Sequence, residues 1–200
     1  MNEFTLQSGD FLVNYNDGKD PMSVVKRWAI GPYSHVYFYL GQMGFFFDRR
    51  QGRIMRFPMI FESNGRGCCL RLLSERYGEE VVVMRLRTAY GKRRIPHIIT
   101  EALILASDED ASYDYWCITR WILPRIICEK LRLPVPLKYH RDPKQVCSEA
   151  LREVCYRGGL VKILPADIVP LPGDFVTSSP LLGLVGEGTL DPEWILGAQR

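Results

Sequence analysis

The stretch Gln145-Val146-Cys147-Ser148-Glu149-Ala150-Leu151 places a cysteine near the start of a helix with one apolar face, and such a helix must lie against something. Asp142-Pro143 upstream supplies an N-cap acceptor and the ring that suits a first helical position. Cys147, Ala150, Leu151 and Val154 then recur at the 3.6-residue period. Ser148, Glu149, Arg152 and Glu153 fall on the opposite, polar side, and Gly158-Gly159 ends the helix. A thiol in the first turns of a helix feels the positive end of the dipole, which favours the thiolate. Because the thiolate is the nucleophilic form, Cys147 is a candidate catalytic residue. The competing reading is a small core hydrophobe.

A nucleophilic thiolate needs an imidazole partner, and the imidazole needs an orienting group. The chain has three histidines. His140 falls in a loop between Tyr139 and Arg141, and His97 follows Pro96 at a helix start, so neither is placed for the role. His35 lies in Ser34-His35-Val36-Tyr37-Phe38-Tyr39-Leu40, a run of β-formers bounded by Gly41. Gly44-Phe45-Phe46-Phe47-Asp48 follows closely, which suggests a hairpin with residues 41 to 44 as its loop. In that register His35 faces Arg50 and Tyr37 faces Asp48, so Asp48 lies diagonal to His35 on one face. A Cys147–His35–Asp48 set is the expectation. It depends on register, since a slip of one residue would turn Asp48 away.

Other elements follow from local pattern. Gly9 to Tyr15 forms a turn and strand, Pro21 to Ile30 a helix that stops at Gly31-Pro32, and Arg53 to Phe57 a third strand. Residues 58 to 78 carry weaker periodicity around an Asn64-Gly65-Arg66-Gly67 loop, and Glu80 to Leu86 is a buried strand. Helical patterns cover about 96 to 106 and 114 to 130, and Pro172-Gly173-Asp174-Phe175-Val176 is a candidate last strand. Residues 187 to 200 are expected to be poorly ordered.

Composition excludes several classes of function. With 26 basic against 23 acidic residues, the net charge of +3 is too small for a dedicated nucleic-acid binder, and no nucleic-acid partner is expected. The six cysteines form no CxxC pair, and the histidines lack zinc spacing, so no metal and no cofactor is expected. Adjacent Cys68-Cys69 does not suit a disulfide framework, which points to a reduced, cytoplasmic setting. The N-terminal residues lack the pattern of a secretory signal, and no run of about 18 apolar residues suggests a transmembrane segment.

Ser34-His35-Val36-Tyr37-Phe38-Tyr39-Leu40-Gly41 and Val146-Cys147-Ser148-Glu149-Ala150-Leu151 resemble the histidine strand and nucleophile helix of NlpC-type papain-like cysteine hydrolases. The histidine precedes the cysteine, as in the circularly permuted branch that includes bacterial and viral hydrolases and the lecithin:retinol acyltransferase-like proteins. Gly9-Asp10-Phe11-Leu12 is similar to the opening strand of permuted members, and Pro172-Gly173-Asp174-Phe175 to their closing strand. The resemblance implies an α+β fold, a small antiparallel sheet packed against helices, in one domain over 1–200 with an insertion around 58–110. It implies Cys147 as nucleophile, His35 as general base and acid, and Asp48 as third member, although related sequences often carry glutamate or another polar residue there. The Cys147 backbone N–H is the expected oxyanion donor, with Tyr139 and Tyr33 as further oxyanion or substrate candidates. The implied reaction is amide hydrolysis through a thioester, on a peptide or a peptidoglycan stem peptide. A thioesterase or acyltransferase acting on a lipid-like acyl group is the enzymatic alternative. A non-catalytic binding or phage structural protein, virion-associated in origin, is the alternative of another class.

Overall fold

A computed structural model describes residues 4–15, 31–65, 67–108, 120, 122–134 and 146–196. The expected helix at 21–30, the Asp142-Pro143 cap and Tyr139 lie outside these residues. The strands are β1 (Phe11–Tyr15), β2 (Tyr33–Asp48), β3 (Arg53–Asn64), β4 (Gly67–Leu72), β5 (Glu80–Leu86) and β6 (Leu182–Thr189). They form one sheet in the order β4-β3-β2-β1-β5-β6, antiparallel at every pairing. The described helices are α1 (Ala89–Ala106), α2 (Leu123–Lys130), α3 (Cys147–Arg157), α4 (Asp174–Thr177) and α5 (Glu193–Leu196), with a 3-10 turn at Leu73–Arg76. The fold is α+β, a small antiparallel sheet with helices, as expected.

Strand alternation divides the apolar side chains between two cores. Phe11, Val13, Val36, Phe38, Val82 and Met84 join Ile98 and Ala102 of α1 and Ala150, Leu151 and Val154 of α3. Leu12, Tyr37, Tyr39, Val81 and Val83 point the other way, onto Leu6, Leu190 and Trp194. Residues 58–108 contribute to both cores. They supply Met59, Ile60 and Phe61 to the cores, the β4 and β5 strands, and α1, which packs beside α3. Leu190 and Trp194 are buried, and the Trp194 carbonyl accepts from the Leu6 amide, because the second face of the sheet needs a cover.

The largest correction concerns the hairpin. β2 does not turn at 41–44 but runs on to Asp48, and the turn lies at 49–52, with Asp48 opposite Arg53. Register shifts between Tyr39 and Gly41 and between Gly44 and Phe46 mark bulges, each absorbing an extra residue without reversing the chain. Gly41 has φ 98°, and a Cβ there would meet the Ser8 hydroxyl, so the glycine serves a bulge rather than a loop. Two further differences are smaller. α1 begins at Ala89, seven residues before Pro96, because Thr88 Oγ1 accepts from the Gly91 amide. The segment taken for a last strand is instead the α4 turn, stacking Phe175 on Phe11.

α3 is buried on all sides, so its polar face is not solvated as the periodicity suggested. Residues 160–171 cover that face: Ser148 donates to the Pro170 carbonyl at 2.7 Å, and Arg152 to the carbonyls of Pro165 and Ile168 at 3.0 and 2.6 Å. At its end, the Leu160 amide bonds to the Cys155 carbonyl and the Gly159 amide to that of Tyr156, with Gly159 at φ 95°. This is a Schellman closure. Gly158, one residue earlier, sits where a Cβ would lie 2.5 Å from Ile98 Cγ1 and 3.0 Å from the Ile98 backbone. Gly158→Ala is expected to force α1 and α3 apart and cost about 1–3 kcal/mol in urea unfolding. A change below a few tenths would show that the helices do not meet this closely.

Candidate active site

α3 begins with Cys147 itself, preceded by Val146, whose amide donates to Glu149 Oε2 at 3.0 Å. The thiol therefore sits at the first helical position, 5% exposed, where the backbone amides are unpaired within the helix. His35 lies two residues into β2, with its side chain 22% exposed, and its ring is close enough to the Cys147 sulfur that each shifts the other's pKa. The backbone amides of Val36 and Ser148 also lie near the sulfur and favour its thiolate form. The fold thus brings His35 and Cys147 together from opposite ends of the chain.

The carboxylate that meets His35 is that of Glu62, not that of Asp48. His35 Nε2 lies 3.1 Å from Glu62 Oε2, so Nδ1 is the nitrogen left for the sulfur. Glu62 stands on β3, one step past the Phe38–Phe61 pair, which puts it beside Tyr37 and diagonal to His35. Asp48 ends β2, 13 residues on from His35 and roughly 40 Å along the strand. Its Oδ1 accepts from the amides of Arg50 and Gln51, so Asp48 closes the hairpin turn. The geometric requirement behind the expectation, a carboxylate diagonal to His35 on the neighbouring strand, is met by a different residue. The sequence did carry a signal. Glu62 follows Met59-Ile60-Phe61 inside a strand, and a carboxylate in an apolar run is rarely buried without a partner.

Glu62 has no exposed side-chain surface. Arg76, from the 3-10 turn, donates from Nη2 to both its oxygens at 2.7 and 2.6 Å, and Asn64 adds a bond of 2.8 Å. Arg76 in turn bonds Glu79, which accepts from Tyr37 and Asn14. The carboxylate is thereby fixed in place behind the imidazole. Burial alone would raise its pKa, but the hydrogen bond and charge of His35, then Asn64 and Arg76, hold it down to about 2. Its contribution to stability is therefore present above the ordinary value of 4.5 and is lost as pH falls toward 2.

The electrostatics of the pair favour separated charge. Burial would suppress the imidazolium, but the Cys147 sulfur and then Glu62 reverse this and push His35 up to about 10. Burial would likewise hold Cys147 as a thiol, but His35 and the two backbone amides lower its pKa below the ordinary value. By contrast, burial pushes Cys68 up to about 11 and Cys155 well above the ordinary thiol range. Cys147 is thus expected to alkylate fastest of the six cysteines at neutral pH. Its rate should persist below pH 9, where an ordinary thiol loses about tenfold per unit, and the imidazolium should titrate near pH 10. Site-by-site iodoacetamide rates decide this, and faster labelling of Cys68 or Cys117 would remove the assignment.

Tyr33 packs against Tyr15, with ring centroids 5.1 Å apart, and lies beside the Gly173 backbone. Among the described residues, no group of three histidine, cysteine, aspartate or glutamate side chains is arranged to hold a metal ion. No described helix is long and apolar enough to cross a membrane.

Neither a protein-family model nor a curated protein matches the sequence. Among solved structures, the chain is similar in fold to the metalloprotein yiiX of Escherichia coli O157:H7, assigned to DUF1105. The two share 14% identity with a TM-score of 0.57, over 94% of this chain and 100% of that one. At that identity the likeness extends to the fold.

Proposed function

We propose that this chain is a thiol hydrolase that cleaves an amide bond through a thioester on Cys147. The observation that supports it is the continuous Cys147–His35–Glu62 chain, assembled from the start of α3, β2 and β3. Nothing local forces these residues together, and the buried carboxylate serves no solvated surface role. In the acylation step the Cys147 sulfur attacks the carbonyl carbon and a carbon–sulfur bond forms. The tetrahedral oxyanion collects near the Cys147 amide, which has no intrahelical acceptor at the first helical position. The intermediate collapses as the carbon–nitrogen bond breaks, and the amine leaves with the proton held on His35. Water then attacks the thioester, giving one proton to His35 and releasing the acid and the thiol. Glu62 holds the imidazole in one orientation and stabilises its charged form, the role assigned from sequence to Asp48.

The resemblance to permuted papain-like hydrolases makes peptides and peptidoglycan stem peptides the first substrates to try. The test is incubation with matched amide, ester and thioester substrates, with intact-mass detection of an acyl adduct mapped to Cys147. An adduct on Cys147 with amide turnover is the expected result. Turnover of esters or thioesters without amides would move the chain to the acyl-transfer reading. No adduct with any substrate, while Cys147 still alkylates, would leave a binding protein.

A further inference from the structure

Beyond the region where β1 and β4 flank them, β2 and β3 continue as a two-stranded ribbon that, among the described residues, pairs with no further strand. The pairing of β1 to β2 ends at Phe38 and that of β4 to β3 at Met59, whereas β2 and β3 pair on to Asp48 and Arg53. At its end the ribbon carries Arg49, Arg50, Arg53 and Arg56, all exposed, against one acid, Asp48. The local excess of three cations equals the net charge of the whole chain, so the remaining sequence is balanced. Asp48 is bound to the turn amides, and among the described residues none of the four arginines is in an ion pair.

The same tip exposes aliphatic surface. Ile54 is 62% exposed and Met55 38% exposed, and both stand between Arg53 and Arg56. A shallow concavity is lined by these four residues. Side chains alternate across a strand, so Arg53 and Met55 share one face and Ile54 and Arg56 the other. Each face thus pairs a cation with an apolar group, an arrangement suited to end-on entry rather than to lying flat. A nucleic-acid groove rewards the cations but not the exposed aliphatics. An interface of phosphate headgroups over hydrocarbon rewards both.

We infer that the β2–β3 tip is a docking arm for an anionic lipid bilayer, with Ile54 and Met55 entering between headgroups and the four arginines held in the phosphate layer. The arm lies roughly 40 Å along the strand from His35, so it sets where the protein sits rather than what the thiol attacks. This inference does not depend on the proposed hydrolase activity.

The test is co-sedimentation of the full chain with phosphatidylcholine vesicles, with and without phosphatidylserine. Binding is expected to phosphatidylserine-containing vesicles alone and to weaken as salt is added. Arg50→Ser with Arg53→Ser should lower the partition coefficient about 25-fold, at about fivefold for each arginine near the surface. Ile54→Asn with Met55→Asn should also lower it while leaving the salt dependence in place. Both variants change exposed residues only, and an unaltered Cys147 alkylation rate confirms that they fold. Equal binding to both vesicle types, no binding, or unchanged binding by either variant overturns the inference. So does tighter binding to duplex DNA at equal phosphate concentration, which would make the arm a nucleic-acid contact.

Discussion

Replacing His35 by alanine is expected to lower kcat/KM by about four orders of magnitude and to leave Cys147 a poorly reactive thiol. Two losses combine. In the proposed mechanism the leaving amine loses its proton donor, and the buried sulfur loses the cation that offsets its desolvation. Glu62→Gln should fall between this variant and the native protein, at about a hundredfold, since a neutral amide still accepts from the ring but no longer stabilises its charge. It should also lower the titration of His35 from about 10, which a purely structural change would not do. Asp48→Asn should stay within a few-fold of the native rate, because Asp48 bonds only turn amides in the structure. Kinetics on the best amide substrate, with alkylation of Cys147 measured in parallel, separate these cases. A loss in Asp48→Asn as large as in Glu62→Gln would return the third role to Asp48.

The second large effect concerns the segment that covers α3. Arg125 of α2 is buried, and its guanidinium bonds both oxygens of Asp174 at 2.7 and 3.0 Å. It also donates to the Val169 carbonyl, while Asp174 Oδ2 accepts from the Leu171 amide at 2.7 Å. Around this pair, Ile122 just before α2 and Ile126 within it pack with Val169, Leu171 and Val146, the residue before Cys147. Asp174→Ala leaves the buried guanidinium with only the exposed Glu129, bonded at 2.7 Å, as counter-charge and is expected to cost about 3 kcal/mol in urea unfolding. Arg125→Met combined with Asp174→Leu removes both charges and should recover more than half of that loss. If the double variant is no more stable than Asp174→Ala, apolar packing rather than an uncompensated charge holds the segment. Because Val146 belongs to the same cluster, Asp174→Ala is also expected to slow Cys147 alkylation.

How much of this was legible beforehand differs from residue to residue. The strand at Glu80–Leu86 appears where alternation and β-branched side chains put it, and α3 ends at Gly158-Gly159 because a left-handed closure needs a glycine there. His35 on an early strand and Cys147 at a helix start are likewise local facts, written in spacing and residue type. Their meeting is not local. It depends on a sheet whose order puts β2 beside β3 and on a helix laid across it.

The exchange of Asp48 for Glu62 shows where local pattern loses its hold. Gly41 and Gly44 look the same in sequence whether they turn the chain or bulge it. Only the partner strand decides, because pairing through Asp48 to Arg53 satisfies more backbone groups and keeps Phe38 and Phe61 on the helix-facing core. Once that register is set, the carboxylate beside His35 is the one 27 residues away, not the one 13 away. The buried polar face of α3 has the same origin. Periodicity determined which side chains lie together, but the loop of residues 160–171 decided that the polar side would be covered, through carbonyls that no sequence pattern locates.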